Sequence, residues 1–187
     1  MQTLRWTLRV LSLPRFTKTC PHCGGQYYEN SGRFRVNANG KRLDIWLVCR
    51  CEHCKSIWNL SVFERIDRAA LCQADYMGYL ENSESLVLRH VFDPAFCAKN
   101  RAVLDPGSLD YAVSGVLPRA GDAARVEAAC AYALPIPAAG VIGRTLGLSL
   151  SGVRRLCESG LLTLPGDPRK IKVNTGFSFT LQKGWHG

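Results

Sequence analysis

Apolar and polar positions alternate at the start of the chain. Leu4, Trp6, Leu8 and Val10 share one face of residues 1–11, a pattern that predicts a strand with one buried side. A hairpin is predicted next, because residues 34–36 and 43–48 are rich in β-forming side chains and flank Asn39-Gly40. This dipeptide tolerates the positive φ angles of a tight turn.

The middle of the chain has helical spacing. Ser61 and Glu64 are spaced as in a capping box, and the apolar residues that follow predict a helix over residues 61–70. Further helices are predicted over residues 76–81 and 84–92. Asp93-Pro94 predicts the start of another, extending to about residue 103. Residues 109–115 and 125–132 predict short strands, although the second run is rich in alanine and also fits a helix.

The C-terminal third predicts two helices followed by three short strands. The helices cover residues 138–146 and 150–159, with Gly160 as a C-cap, and the strands cover residues 161–164, 170–173 and 177–181. On the second helix four side chains are expected to face inward: Leu150, Val153, Leu156 and Cys157. The expected fold class is α+β, with an N-terminal β-hairpin domain, a helical middle and a small C-terminal ααβββ module.

The net charge adds a partner class to this picture. The 187 residues include 24 Lys and Arg and 15 Asp and Glu, a formal charge of +9. Residues 1–60 and 121–187 are basic, whereas residues 61–120 are slightly acidic. Such ends favour a polyanionic partner, although a solvated surface explains them equally well. No apolar run is long enough to span a membrane, and arginines interrupt the apolar start, so a cytoplasmic protein is expected.

Four of the nine cysteines predict a metal site. Cys20 and Cys23 form one C-x-x-C turn and Cys51 and Cys54 form a second. Two such turns supply four thiolates, which predicts one structural zinc ion. His22 and His53 lie inside the turns, either as alternative ligands or as exposed turn residues. Cys49 lies two residues before Cys51 and suits a strand position. The remaining cysteines are expected to pack as buried small apolar residues: Cys72, Cys97, Cys130 and Cys157.

No sequence motif predicts catalysis. Phosphate-binding loops, dinucleotide fingerprints, H-E-x-x-H and G-x-S-x-G are all absent from the sequence. Asp75, Glu81 and Glu84 form an acidic cluster, which is either a paired-carboxylate site or a solvated helix face. A protein without enzymatic activity is therefore expected.

Basic residues form two candidate nucleic-acid surfaces. Arg33, Arg35, Lys41 and Arg42 are expected to crowd the hairpin tip, and Trp46 and Trp58 either stack on bases or pack in the core. The second group lies near the C-terminus and comprises Arg144, Arg154, Arg155, Arg169, Lys170 and Lys172. Arg154 and Glu158 are also spaced to pair along a helix.

Two parts of the chain resemble known families. The run SGRFRVNANGKRLDIWL at residues 31–47, with CPHC before it and CEHC and Trp58-Asn59-Leu60 after it, resembles an uncharacterised bacterial family, domain of unknown function 1062. Residues 146–149, 153–162 and 170–176 are similar to the alpha-L RNA-binding motif of a small-subunit ribosomal protein. Leu150 and Gly152 replace arginines of that motif, and Phe177 replaces an acidic residue.

Together these features predict four segments and an RNA-binding function. The segments are a zinc ribbon with an N-terminal strand (1–58), a helical segment (59–106), a strand-rich connector (107–135) and an alpha-L-like module (136–187). The leading hypothesis is non-catalytic binding of structured RNA, including the RNA of the ribosome. The alternatives are a zinc-ribbon adaptor with a protein partner and an enzyme that acts on RNA.

Overall fold

The alternating N-terminal residues form a strand inside a sheet. A computed structural model describes residues 1–168 and 170–186. Strand β1 (Gln2–Val10) buries Leu4, Trp6 and Leu8, while the residues between them are exposed, which confirms the predicted alternation. Two compact units divide the chain. Met1–Leu11 and Tyr111–Gly187 form the split unit, and Ser12–Asp110 form the inserted unit.

The split unit is a five-stranded sheet with two helices. Its strand order is β7-β1-β8-β10-β9, in which β1 is parallel to β8 and antiparallel to β7, and β10 is antiparallel to both of its neighbours. Helix α4 contacts β8 and β10, and helix α5 contacts β9. The bounds are β7 (Tyr111–Gly115), β8 (Ala124–Pro137), α4 (Ala138–Leu146), α5 (Leu150–Glu158), β9 (Leu162–Thr163) and β10 (Lys172–Leu181).

The inserted unit has an antiparallel sheet with helices on one face. The strand order is β5-β4-β3-β2-β6, and residues of β4 such as Ile45 and Leu47 pack with Val87 and Phe96 from the helices. The bounds are β2 (Phe16–Thr17), β3 (Tyr27–Asn39), β4 (Arg42–Cys51), β5 (Ile57–Asp67), α1 (Gln73–Leu80), α2 (Glu84–Val91), α3 (Pro94–Lys99) and β6 (Val103–Leu104). The chain is thus mixed α+β, with two sheets and five α-helices in its described part. None of these helices is long and apolar enough to cross a membrane.

The helix predicted over residues 61–70 is wrong, because this segment forms strand β5. Two register shifts interrupt its pairing with β4, so Leu60, Phe63 and Ile66 pair with alternate β4 residues although they lie three apart. Each shift adds a residue to β5, as a β-bulge does, and turns a period of two into a spacing that imitates a helix. Ser61 does not cap a helix. Its N–H donates to Asn100 Oδ1 at 2.6 Å, and its carbonyl accepts from Asn100 Nδ2 at 3.0 Å.

Most of the other predicted elements are present with small changes. The Asp93 carboxylate accepts from the Ala95 N–H as predicted for an N-cap, but helix α3 ends at Lys99 instead of near residue 103. The alanine-rich run belongs to strand β8, and the last two predicted strands are one strand, β10. The hairpin turn has Gly40 and Lys41 at its centre, because Asn39 pairs with Arg42.

The two units differ from the four segments expected from the sequence. The sequence pattern places strand β1 with the zinc ribbon, yet it pairs with β7 and β8, more than 100 residues later. Residues 107–135 do not form a connector, since β7 and β8 flank β1 in the sheet. Local sequence patterns carry no information about such distant strand pairs. The four predicted segments are therefore each continuous in sequence.

A pair of glycine substitutions tests the packing of β7 against β1. Gly115 has a φ angle of +132°, and a Cβ atom there would lie 2.2 Å from the Arg5 carbonyl oxygen. We expect Gly115→Ala to lower the free energy of unfolding by about 2 kcal/mol or more. The control is Gly140→Ala in α4, where a Cβ atom meets nothing within 4 Å. Urea denaturation that shows equal effects for both variants would contradict the pairing.

Tyr79 and His90 form the centre of an aromatic cluster in the inserted unit. The Tyr79 hydroxyl and His90 Nε2 are 2.8 Å apart, and Phe34 contacts Tyr79 edge-on at a centroid distance of 4.9 Å. Phe96 lies 5.4 Å from the His90 ring. Burial, together with the positive charge of Arg89, lowers the pKa of His90 to about 4. The folded protein therefore holds this imidazole neutral at pH values where the unfolded chain protonates it.

This shift makes stability depend on pH. The contribution of His90 is complete above its unfolded pKa of about 6.5 and is lost as the pH falls towards 4. Between pH 7 and pH 5 we expect a loss of about 2 kcal/mol that the His90→Gln variant does not show. Urea denaturation of both proteins at the two pH values measures this difference. Equal losses in the two proteins would mean that His90 does not titrate as described.

Candidate metal centre and basic surfaces

The two C-x-x-C turns have the same backbone geometry. The Cys20 N–H donates to the Gly25 carbonyl at 2.7 Å, and the Cys51 N–H donates to the Ser56 carbonyl at 2.8 Å. The fifth residue of each turn has a left-handed conformation, with φ angles of 74° at Gly24 and 62° at Lys55. The first turn lies between β2 and β3 and the second between β4 and β5, so the β3–β4 hairpin brings them together.

The four cysteine sulfurs form one cluster. All four Sγ atoms lie within 4.8 Å of one another, and the Cys20–Cys54 and Cys23–Cys51 distances are both 3.6 Å. Tetrahedral ligands at a Zn–S distance of about 2.3 Å are separated by roughly 3.8 Å. The cluster could therefore hold a metal ion, and its donor set is compatible with zinc. His22 and His53, the alternative ligands, are exposed and do not belong to it.

Neighbouring groups favour the thiolate form of Cys20. Ser56 Oγ lies 3.2 Å from Cys20 Sγ and 3.3 Å from Cys54 Sγ. Hydrogen bonds from Ser56 and Tyr28 lower the pKa of Cys20 to about 5, and those from the His22 and Cys23 backbone add to this effect. Because metal ions bind thiolates and not thiols, these bonds suit a metal ligand. The sequence pattern did not single out Ser56 or Tyr28.

The space around the sulfurs explains Gly25. A Cβ atom at this position would lie 3.3 Å from the sulfurs of Cys23 and Cys51 and from His53 Cβ. Such contacts are tighter than most that a Cβ atom makes, so a side chain here would push against the cluster.

The other cysteines lie outside the cluster. Cys49 and Cys130 are buried, and Cys97 and Cys157 are half-buried, in line with a packing role. Burial raises the pKa of Cys49 to about 12, which keeps this thiol protonated. The expectation of burial is wrong for Cys72, which is exposed. Its Sγ accepts from the Asp75 N–H at 3.4 Å and caps helix α1.

The basic residues of the hairpin do not crowd its tip. Arg33 and Arg35 lie on one face of β3, Lys41 lies in the turn, and Arg42 Nη1 donates to the Arg65 carbonyl at 3.0 Å. Arg33 precedes Asn39 by six residues, which is about 20 Å along a strand. The arginines of β3 are therefore part of the sheet face and not of a cluster at the tip.

Part of the C-terminal basic group borders one groove. Pro137, Gly140, Leu150, Arg154 and other residues at the starts of α4 and α5 line this groove of about 450 Å³, together with Pro168. Lys170 follows Pro168 by two residues and Lys172 pairs with Pro137, so both lie beside the groove. We call it the helix groove.

The remaining members of this group lie elsewhere. Arg155 lines a separate hollow with His186, and the Arg144 guanidinium lies 4.7 Å from the Tyr111 ring centroid. Arg154 Nε bonds Glu158 Oε1 at 3.0 Å, so the predicted pair along the helix is present. Arg169 lies outside the described residues.

Helix α5 is less regular in its faces than expected. Val153 and Leu156 are buried as predicted, and Cys157 is half-buried. Leu150 is 66% exposed, so its predicted inward orientation is wrong. Leu150 is the first residue of the helix and lines the helix groove.

The acidic middle forms no group of three or more potential metal ligands among the described residues. The carboxylate of Asp75 accepts from Arg89 Nη2 at 3.0 Å, and Glu81 and Glu84 are exposed. Within residues 1–168 and 170–186, the four cysteines are the only group of three or more potential ligands close enough to hold a metal ion.

The fold and the cluster define a two-sheet α+β protein with a four-cysteine candidate metal centre. A family described as protein of unknown function (DUF1062) matches residues 36–167, well over half of the chain, and the chain belongs to that family. The match begins after the first C-x-x-C turn and includes the second. No curated protein and no solved structure matches the chain.

Metal analysis of the purified protein tests the cluster. We expect one tightly bound metal ion per chain and loss of that ion in Cys54→Ser, together with a lower unfolding temperature, because three thiolates hold the ion less strongly than four. The matched control is Cys72→Ser, which changes an exposed cysteine outside the cluster and keeps a capping side chain on α1. Full metal content and unchanged stability in Cys54→Ser would show that the cluster is not a metal site.

Proposed function

We propose that this protein binds structured RNA without catalysis, through the helix groove of the split unit. The observation that carries the proposal is the distribution of charge between the two units. The split unit contains 11 Lys and Arg and four Asp and Glu, a net charge of +7. The inserted unit contains 13 Lys and Arg and 11 Asp and Glu, a net charge of +2. Most of the excess positive charge thus belongs to the unit that carries the groove.

The helix groove offers groups suited to phosphates. The first turns of α4 and α5 line it, and the positive end of a helix favours anions. Two N–H groups there already have partners, since Ala138 donates to the Ile171 carbonyl and Gly152 to Ser149 Oγ. Arg154, Lys170 and Lys172 lie in or beside it and add positive charge. The order of two short helices followed by β9 and β10 agrees with the proposed alpha-L-like module. Ribosomal RNA is one structured RNA that suits this binding mode.

The four-cysteine cluster has a structural role in this proposal. Zinc is the proposed ion, and four thiolates complete its coordination, which leaves no position for a reactive water molecule. The ion would fix the base of the β3–β4 hairpin in the manner of a zinc ribbon, because two ligands come from each side of that hairpin. With a net charge of about −2 on a four-thiolate zinc site, the inserted unit is close to neutral overall.

A protein-interaction adaptor is the second candidate function. Exposed apolar side chains of the split unit favour it: Val116 and Leu150 are each 66% exposed and Leu117 is 53% exposed. Arg154 also has an acidic partner within its own helix, which lowers its value as a phosphate contact.

Charge reversal beside the groove tests the RNA-binding proposal. We expect Lys170→Glu with Lys172→Glu to weaken binding of a short RNA hairpin at least about tenfold. The slope of log K against log salt concentration should also become less steep by roughly 1.8, the change expected for the loss of two phosphate contacts. Fluorescence anisotropy over a series of KCl concentrations measures both quantities. The variant spares Arg154, whose reversal would place two acidic residues one helical turn apart.

The control makes the same change of charge elsewhere on the split unit. Arg9→Glu with Arg119→Glu alters two exposed residues that do not line the groove. This control should keep most of the affinity. Equal binding by the groove variant and the wild-type protein would refute the groove as the RNA site. In that case, loss of a protein partner on Leu150→Ser would select the adaptor.

A further inference from the structure

One face of the inserted unit's sheet is open to solvent. The β3–β4–β5 pairs Arg33–Val48–Asn59 and Arg35–Trp46–Ser61 lie on this face, as does Arg50. The intervening β4 residues, including Ile45 and Leu47, point to the opposite side and are buried beneath the helices. Arg33, Arg35, Arg50 and Asn59 are all exposed. We call this surface the open face.

Trp46 lies at the centre of the open face and differs from the other three tryptophans. Trp6 and Trp185 are buried, and their indole N–H groups donate to backbone carbonyls. Trp58 packs against Phe16 and Tyr28 and has Lys18 Nζ 3.7 Å from its ring centroid. Trp46 is half-buried on β4, between β3 and β5, and its indole N–H has no hydrogen-bond partner in the described chain. Its one ring contact is the Arg35 guanidinium, 5.9 Å from the centroid.

The arginines around Trp46 have no acidic partners. Arg33, Arg35 and Arg50 form no ion pair with any residue that the structure describes, whereas Arg15 pairs with Asp105 and Arg89 with Asp75. Of the nearest acidic groups, Glu29 pairs with Lys55 and Asp44 accepts the Arg65 N–H.

Some acidic residues of the inserted unit lie on the helices and others on the sheet. Asp75, Glu81, Glu84 and Asp93 are on or next to the helices. Glu29 pairs across the sheet with Arg50 and Asp44 shares the Trp46 face of β4, so the open face carries two carboxylates as well as the three arginines.

We propose that the open face binds a single-stranded RNA segment, with one base stacked on Trp46 and the flanking phosphates on Arg33, Arg35 and Arg50. A flat aromatic ring among unpaired guanidinium groups matches the alternation of bases and phosphates in a single strand. A duplex would not suit this surface, because its bases stack on each other and their faces are not accessible to a tryptophan side chain. The inference rests on the proposed RNA-binding function and names the form of RNA that the inserted unit takes.

The geometry supports contacts beside one base and along the strand on one side of it. Arg33 and Arg35 are two residues apart on β3, about 7 Å, and Trp46 pairs directly with Arg35 on the neighbouring strand. Arg50 lies four residues after Trp46 on β4, about 13 Å away, whereas Arg42 lies four residues before Trp46. Positive charge thus extends along the sheet from the tryptophan towards the base of the hairpin.

Oligoadenylate binding to the full chain tests the inference. We expect oligoadenylate to quench tryptophan emission of the wild-type protein. Trp46→Leu should lose this quenching and bind about 5- to 150-fold more weakly, the range expected for one base–aromatic stack. Trp46→Phe should keep most of the affinity, since it retains an aromatic face. The control is Leu80→Ser, which removes an exposed apolar side chain from helix α1, on the opposite side of the sheet from the open face.

A second variant keeps the test independent of folding. Arg35→Gln with Arg50→Gln changes two exposed side chains. For oligoadenylate, the slope of log K against log salt concentration should become less steep by roughly 1.4, the change expected for two lost phosphate contacts on a single strand. Arg101→Gln, an exposed arginine on the segment between α3 and β6, is the matched control. Binding of the RNA hairpin through the helix groove should be unchanged in all of these variants.

The possible outcomes separate this inference from the proposed function. If the wild-type protein binds the hairpin but not oligoadenylate, the open face is not an RNA site and the groove remains one. Oligoadenylate binding that is equal in wild type, Trp46→Leu and the arginine variant would likewise overturn the inference. If duplex RNA competes equally well with oligoadenylate, the ligand of the open face is a duplex and not a single strand. If polyglutamate competes equally well, the ligand is an acidic protein. Binding of neither RNA by the wild-type protein would refute both proposals.

Discussion

The position of β1 inside the sheet, between β7 and β8, is the constraint on which the split unit depends. This strand pairs with β7 on one side and β8 on the other, and both of these follow the inserted unit in the chain. The pairing of Val10 with Tyr111 holds the two ends of the insertion next to each other, about one strand spacing apart. A domain whose ends lie this close can interrupt a sheet without distorting it. The register of the sheet therefore tolerates 99 residues between neighbouring strands.

Sequence patterns predicted the local features of this protein better than the distant ones. The alternation in β1, the Asp93 cap and helix α4 follow from neighbouring residues, and the structure has all three. The sequence of strand β5 has the apolar spacing of a helix, because its bulges are specified by pairing with β4 and leave no other local mark. The order of the strands was out of reach for the same reason, since β1 and β8 meet only in the folded chain.

The candidate sites show a similar division. Two C-x-x-C turns identified the four cysteines of the cluster, because each turn is a local structure with a fixed spacing. Basic residues carry no such spacing, and grouping them along the chain placed Arg33 and Arg42 together although strand geometry separates them. Dividing the charge by structural unit instead assigns most of it to the split unit. Exposure and pairing, which decide whether a charge is available to a partner, require the folded structure.

The interrupted sheet also has a consequence for synthesis on the ribosome. Strand β1 is made first, but β8 and β10, which complete the sheet around its buried residues, end at Pro137 and Leu181. At a synthesis rate of about 5–20 residues per second, the apolar face of β1 stays without these partners for roughly 10–30 s. During that time the inserted unit has emerged and can fold as a unit of its own. The nascent chain thus passes through a stage in which an unpaired, half-apolar strand precedes a folded domain, and it needs protection from aggregation at that stage.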